Sequence, residues 1–330
     1  MSADRFRVFV ARAIFPEVLD KLGRHFEVQS NQADRLMTPE EMRACLQGAS
    51  GVFTTGSERV DAPLLAACPS LRICANMAVG YNNFDLPAMT AAGVLGTNAP
   101  DVLTETTADF GFALMLAAAR RISESERFLR AGLWERWRYD LFAGADVHGK
   151  TMGILGMGRI GRALARRGAR GFGMRVVYHN RNRLNPDLEE ESAAQYLPLD
   201  GLLREADHLL VVLPYSESTH HRIGAAELRC MKPTATLVNI GRGGVVDDSA
   251  LVQALRSGQI AAAGLDVFEG EPRLNPGLLD LPNVVLTPHI ASASQPTRLA
   301  MAHLAADNLI GYLTLGKPLT PLNPEVLVVR

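Results

Sequence analysis

The stretch that decides the fold is Thr151-Met152-Gly153-Ile154-Leu155-Gly156-Met157-Gly158-Arg159-Ile160-Gly161. Thr151–Leu155 reads as a buried strand, and Gly156, Gly158 and Gly161 follow it directly with the spacing GxGxxG. The segment after them carries Leu164 and Arg167 and reads as a helix. In such a turn the first glycine makes the tight bend, the second lets backbone N–H groups approach a pyrophosphate, and the third lets helix and strand pack closely. Alone, the spacing also fits an ordinary glycine-rich turn. A strand before it, a helix after it and a second strand at Arg175–Tyr178 point to a dinucleotide-binding unit.

Working outward, further strands are expected at His208–Leu213, Thr236–Ile240, Ala263–Val267 and Val284–Thr287, making six in this half. Helical connections between them suit a doubly wound parallel sheet. Upstream, a long helix is expected from Thr104 to Arg130. The stretch from Gly132 to Gly149, with Trp134, Trp137, Tyr139 and Phe142, keeps neither helix nor strand period. The first hundred residues alternate in the same way, with strands at Arg7–Ala11, Gly51–Thr54 and Leu71–Ala75 and helices at Pro16–His25 and after Asp61. Thr38-Pro39-Glu40-Glu41 is a capping box with proline at the first helical position. An amphipathic helix is expected from Ser294 to Leu315. The fold class is α/β throughout.

At 330 residues the chain suits two domains, and 47% apolar content gives each a core. Basic and acidic residues nearly cancel, 34 against 35, so no global field draws nucleic acid or an anionic membrane, and the expected partner is a small molecule. The longest apolar run, Phe110–Ala119, is about half the roughly 20 residues that cross a bilayer, and reads as a buried helix. Met1 to Arg7 leads straight into a strand with no signal-peptide pattern, so a cytoplasmic protein is expected. Cys45, Cys68, Cys74 and Cys230 lack CxxC spacing, so buried thiols are expected, with no disulfide framework and no metal site.

The end of the second strand selects the dinucleotide. An NAD site places Asp or Glu there for the ribose hydroxyls, whereas this chain reads Tyr178-His179-Asn180-Arg181-Asn182-Arg183. Asn180 can bond a hydroxyl or a phosphate oxygen, and Arg181 and Arg183 can pair with a 2′-phosphate, which favours NADP over NAD. A solvated basic loop is the alternative reading.

Three strand ends carry possible chemistry. Asn239-Ile240-Gly241-Arg242-Gly243-Gly244 puts an arginine in a glycine-rich turn; Gly264 to Pro272 contains Asp266, Glu269 and Glu271; Thr287-Pro288-His289 places one histidine after the last strand. Each taken singly reads equally well as surface or structural. Together they suit carbonyl reduction, in which hydride transfer leaves negative charge on oxygen and an imidazolium supplies the proton. Glu271 then orients His289 and favours its protonated form, while Arg242 grips a substrate carboxylate and polarises the carbonyl.

These motifs, together with Val79-Gly80-Tyr81-Asn82-Asn83, resemble the D-isomer-specific 2-hydroxyacid dehydrogenase family over nearly the whole chain. Val79 to Asp85, Val102 to Thr106 and the turn at Arg181 look most like its glyoxylate/hydroxypyruvate reductases, which also reduce 2-ketogluconate. The resemblance implies two Rossmann-like domains with a cleft between them. A flavodoxin-like substrate domain would span 1–103 plus 290–330, and an NADP-binding Rossmann domain 104–289. It implies Arg242, Glu271 and His289 as a catalytic triad and the Val79 and Gly80 N–H groups as a carboxylate cradle. Cofactor contacts are implied at Thr107, Arg159, Ile160, Pro214, Thr219, Ile240 and Asp266, the last near the carboxamide. It further implies a homodimer joined through 104–149, in which Trp134 or Trp137 either reaches the neighbour's site or packs in the interface.

The expected activity is thus NADPH-preferring reduction of small 2-oxo acids to D-2-hydroxy acids, with NAD possible. Two departures from the family pattern are Ala291, where Gly is frequent, and Asn82, where Asp is frequent. Formate dehydrogenases of the family carry Gln where Glu271 stands, and the tail after His289 is too short for the regulatory domain of many phosphoglycerate dehydrogenases. Phosphite oxidation by the same triad and a nucleotide-sensing, corepressor-like binding protein are the alternatives.

Overall fold

The computed structural model describes residues 5–328, so Met1 to Asp4 of the N-terminal stretch lie outside it. The chain divides into two compact units, 1–103 with 294–330, and 104–293.

The first unit holds five strands, β1 (Arg7–Val10), β2 (Glu27–Ser30), β3 (Gly51–Thr54), β4 (Ile73–Asn76) and β5 (Leu95–Thr97). They are parallel in the order β2-β1-β3-β4-β5. Every residue of β3 and β4 is buried, as a sheet covered on both faces requires. The capping box forms, with Thr38 Oγ1 accepting from Glu41 N at 3.3 Å and Glu41 Oε2 accepting from Thr38 N at 2.8 Å. Helix Gln295–Leu315 starts from Ser294, whose hydroxyl caps Thr297 N, and packs on β3 and β4. The edge strand β2 and the short β5 go beyond the three predicted strands.

The second unit carries β6 (Thr151–Leu155), β7 (Arg175–His179), β8 (Ala194–Tyr196), β9 (His208–Val211), β10 (Thr236–Asn239), β11 (Ala262–Leu265) and β12 (Val284–Leu286). Their order is β12-β11-β10-β9-β6-β7-β8, again all parallel. The order reverses between β6 and β9, and the glycine turn leaves β6 at that switch point, where open α/β sheets bind ligands. All six predicted strands are present and β8 makes a seventh.

Three expectations need correction. The predicted helix Thr104–Arg130 is two helices, Thr104–Ala119 and Ile122–Arg130. Arg121 between them is left-handed at φ 55, and its guanidinium pairs with Glu124 at 2.8 Å. The first helix buries much of the apolar run and the second buries nothing, so they answer to different surroundings. The unit boundary falls after Ala293, because the N–H groups of Ile290 and Ala291 bind the Asp266 carboxylate and hold that segment to the second unit. The four cysteines are free, yet only Cys68 and Cys74 are buried; Cys45 and Cys230 are half-buried. Among the described residues no helix is long and apolar enough to cross a membrane.

Candidate active site

The site grows from the C-terminal ends of β10, β11 and β12. Asn239, the last residue of β10, accepts from Gly241 N at 3.0 Å and donates to the Arg242 carbonyl at 3.1 Å, so one side chain shapes the arginine turn. Arg242 Nη1 donates to Gly241 O at 2.7 Å. A Cβ on Gly243 would stand 1.7 Å from Phe268 O, so this turn lies directly on the backbone of the next loop and tolerates no side chain there.

That loop holds the acids. Asp266 is fully buried: Oδ1 accepts from Thr287 Oγ1 at 2.7 Å and Ile290 N at 2.8 Å, and Oδ2 accepts from Ala291 N at 2.8 Å. Its carbonyl takes His289 N at 2.9 Å. Asp266 thereby fastens the histidine turn, in which His289 is left-handed at φ 54, a conformation a non-glycine residue keeps only when its surroundings enforce it. Glu271 Oε1 accepts from Phe268 N at 2.8 Å, and Oε2 meets His289 Nδ1 at 2.8 Å. Burial opposes charge on Glu271, yet the bonds from His289 and Phe268 N, with the positive charge of Arg242, hold its carboxyl below the usual range. Arg242 is pushed below its ordinary value by desolvation, with Glu271 pulling the other way. The structure therefore joins His289 to Glu271 directly and sets Arg242 within the electrostatic reach of Glu271.

At the switch point the glycine turn fits a dinucleotide. A Cβ on Gly161 would lie 2.4 Å from Gly156 O, so helix Arg159–Arg166 can leave the strand this tightly only with glycine there. A Cβ on Gly158 would meet nothing within 4 Å, which leaves open space where a pyrophosphate approaches the helix N-terminus. Arg159 is exposed and Ile160 half-buried beside it. Thr107 is buried with a hydroxyl that has no partner among the described residues, and Ile240 is buried at the end of β10.

At the end of β7 the predicted residues separate. Asn180 Oδ1 accepts from Met157 N at 2.6 Å, so Asn180 braces the glycine turn and keeps its amide NH₂ for a ligand. Arg183 donates through Nε and Nη2 to the two carboxylate oxygens of Glu189, at 2.8 and 2.7 Å, and its guanidinium lies 5.9 Å from the Tyr196 ring centre. That pairing sets Arg183 apart from Arg181, since a phosphate would have to compete with Glu189 for it. Arg181 is exposed and makes no hydrogen bond or ion pair among the described residues. The Thr219 hydroxyl donates to Pro214 O at 2.9 Å and accepts from Ser216 N at 2.7 Å, so Pro214 and Thr219 close one turn.

Val79 and Gly80 belong to the first unit, just after β4. Their carbonyls accept from Asn98 Nδ2 at 2.8 Å and Asn76 Nδ2 at 3.0 Å, while their N–H groups bind no other described group. The part played by Asn239 went unread in the sequence. Its signal was an Asx-turn residue directly before a glycine-rich turn.

A family model described as the NAD binding domain of D-isomer specific 2-hydroxyacid dehydrogenases matches residues 112–291. A glyoxylate reductase from Thermococcus gammatolerans is 48% identical over 328 residues, covering 98% of each chain. The crystal structure of a glyoxylate reductase from Paecilomyes thermophila superposes with a TM-score of 0.88 at 33% identity, over 98% of this chain and 100% of that one. An NADPH-dependent glyoxylate/hydroxypyruvate reductase from Sinorhizobium meliloti, in complex with NADP and malonate, gives a TM-score of 0.83 at 39% identity over 97% of both chains. With these likenesses over nearly its full length, the chain belongs to the D-isomer-specific 2-hydroxyacid dehydrogenase family and is an NAD(P)-dependent oxidoreductase of it.

Proposed function

We propose that the protein is an NADPH-preferring reductase of small 2-oxo acids, converting glyoxylate, hydroxypyruvate or 2-ketogluconate to the D-2-hydroxy acid. The observation that carries this reading is the 2.8 Å contact between His289 Nδ1 and Glu271, beside the arginine turn packed on the same loop.

A reduced nicotinamide dinucleotide, when bound, supplies the hydride. Gly156 to Gly161 and Thr107 would hold it, and Arg181 would meet a 2′-phosphate. The chain's own residues handle the proton and the substrate charge. Because Glu271 engages Nδ1, His289 has Nε2 left to protonate the substrate oxygen as negative charge develops there. Ionised Glu271 keeps the ring in one orientation. The Arg242 guanidinium, permanently charged, grips the carboxylate and polarises the carbonyl. The Val79 and Gly80 N–H groups are proposed as a second hold on that carboxylate.

Support for NADPH comes from three features: no acid follows Tyr178, Arg181 is unpaired, and the S. meliloti relative is described as NADPH-dependent. Assembly is proposed as a homodimer through 104–149. The test is NADPH oxidation with a panel of 2-oxo acids. Turnover with glyoxylate or hydroxypyruvate is expected. Cofactor binding without turnover of any of them would remove the reductase reading in favour of nucleotide sensing.

A further inference from the structure

Beside the triad, and not used by it, stands a group of side chains with the chemistry of a cation site. His220 and His221 follow Thr219, and their rings stack at 3.8 Å between centres with 23° between planes. Glu269, two residues before Glu271, comes within 3.1 Å and 3.2 Å of His221 Nε2 through its two oxygens. One ligand atom from each of the three lies within 4.8 Å of the others. Two imidazoles and one carboxylate form a ligand set for zinc and similar d-block ions, which prefer nitrogen with oxygen over the all-oxygen shells of magnesium or calcium.

The surroundings of His220 match what a coordinating histidine needs, and His221 has a carboxylate near its other nitrogen. An imidazole that binds metal through one nitrogen donates from the other to an outer partner, which fixes tautomer and orientation. His220 Nδ1 is 3.3 Å from Tyr215 Oη, which leaves Nε2 to coordinate. His221 Nδ1 lies 3.9 Å from an Asp247 oxygen, while Nε2 faces Glu269. Backbone bonds hold His221 in place, its N–H donating to Gly244 O at 2.7 Å in the turn that follows Arg242.

We propose that His220, His221 and Glu269 bind one divalent d-block cation of the zinc class, with Tyr215 as the outer hydrogen-bond partner of His220 and the Asp247 carboxylate as a nearby negative charge. The ion takes the place of the His221–Glu269 hydrogen bond, any proton it displaces passing to solvent, and completes its shell with water. It ties the Pro214–His221 segment to the loop that presents Glu271. Binding to the folded state alone raises thermal stability by mass action.

The test is titration of the tag-free full-length chain with Zn²⁺, read by calorimetry and by the melting temperature, with Co²⁺ absorption as the spectroscopic check. One saturable equivalent and a higher melting temperature are expected. His220→Gln and Glu269→Gln, both at exposed positions, and His221→Asn, chosen because Asn tolerates a left-handed backbone, should each weaken binding at least about tenfold. Cys45→Ser combined with Cys230→Ser should leave it unchanged. Absence of saturable Zn²⁺ binding, unchanged affinity in the three ligand variants, or loss of binding with the two cysteines would each overturn the proposal.

Discussion

Arg181 and Arg183 stand two positions apart and meet different partners. Arg183 is held to Glu189, whose carboxyl is kept below its usual range first by that guanidinium and then by the Tyr178 hydroxyl at 2.6 Å. Arg181 has no such tie. If it meets the 2′-phosphate, Arg181→Ala should weaken NADPH about ten- to a hundredfold, the worth of one charge-assisted bond, and leave NADH nearly unchanged. Arg183→Ala should cost local stability with little cofactor discrimination. Equal losses for both cofactors in Arg181→Ala would make that turn ordinary solvated surface. At His289 the expected loss is of another kind. His289→Ala should lower kcat by about 10²- to 10⁴-fold, the usual contribution of a general acid, and leave cofactor Kd unchanged. A variant that lost both together would show the left-handed turn collapsing on Asp266 rather than a missing proton.

Among elements, Asp207 carries the clearest consequence, since it gathers the starts of three strands. Its N–H donates to Thr151 O at 2.9 Å and its carbonyl accepts from Thr236 N at 3.0 Å, while its carboxylate takes Thr151 N at 2.9 Å and Lys232 Nζ at 2.7 Å. Burial raises the pKa of this carboxyl, but the Lys232 and Thr151 bonds outweigh it, and the net shift is downward. A carboxyl depressed in the folded state contributes stability above its unfolded pKa, near 4, and loses it as pH falls through the folded value. Asp207→Asn should therefore destabilise by about 1 kcal/mol at pH 7, discounted because Lys232 is partly exposed. Denaturant unfolding of both proteins should show the gap closing below about pH 4. Elements of this central kind were legible in the chain, because buried strands such as β6 and β9 read as apolar runs. Two of the edge strands were not: β2 is Glu-Val-Gln-Ser and β8 is Ala-Gln-Tyr, short and without an apolar run, whereas the apolar edge strand β12 was legible. Nor did Ala119-Arg120-Arg121 warn of a helix break, having neither glycine nor proline. In the candidate site, Arg242, Glu271 and His289 each follow a strand and could be listed in advance. The Arg183–Glu189 pair could not, because a loop and a helix start bring it together. The His221–Glu269 contact joins residues 48 apart, and only the sheet order makes them neighbours.

At the scale of the whole molecule, the second unit leaves an apolar surface that its own fold does not cover. Ile122 and Leu129 on helix Ile122–Arg130 continue into Leu133, Trp134, Trp137 and Tyr139, all exposed, with Trp137 at 77% and Tyr139 at 87%. Six large apolar side chains exposed within one short segment exceed the scattered exposure normal for a monomer, as an association surface would. Aromatic anchors of this kind dominate interface energetics, and tryptophan is prominent among them. A second copy of the chain suits this surface, since a two-fold interface uses one patch twice. Sedimentation should then give twice the 35.7 kDa of one chain, and the mass should persist in high salt because apolar contact is not screened. Trp137→Arg should shift the equilibrium toward single chains at micromolar concentration and leave the circular dichroism spectrum intact, because so exposed a side chain supports little of its own unit. A native chain that sediments alone at every concentration, or a variant that associates as tightly as the parent, would assign this surface to something other than self-association.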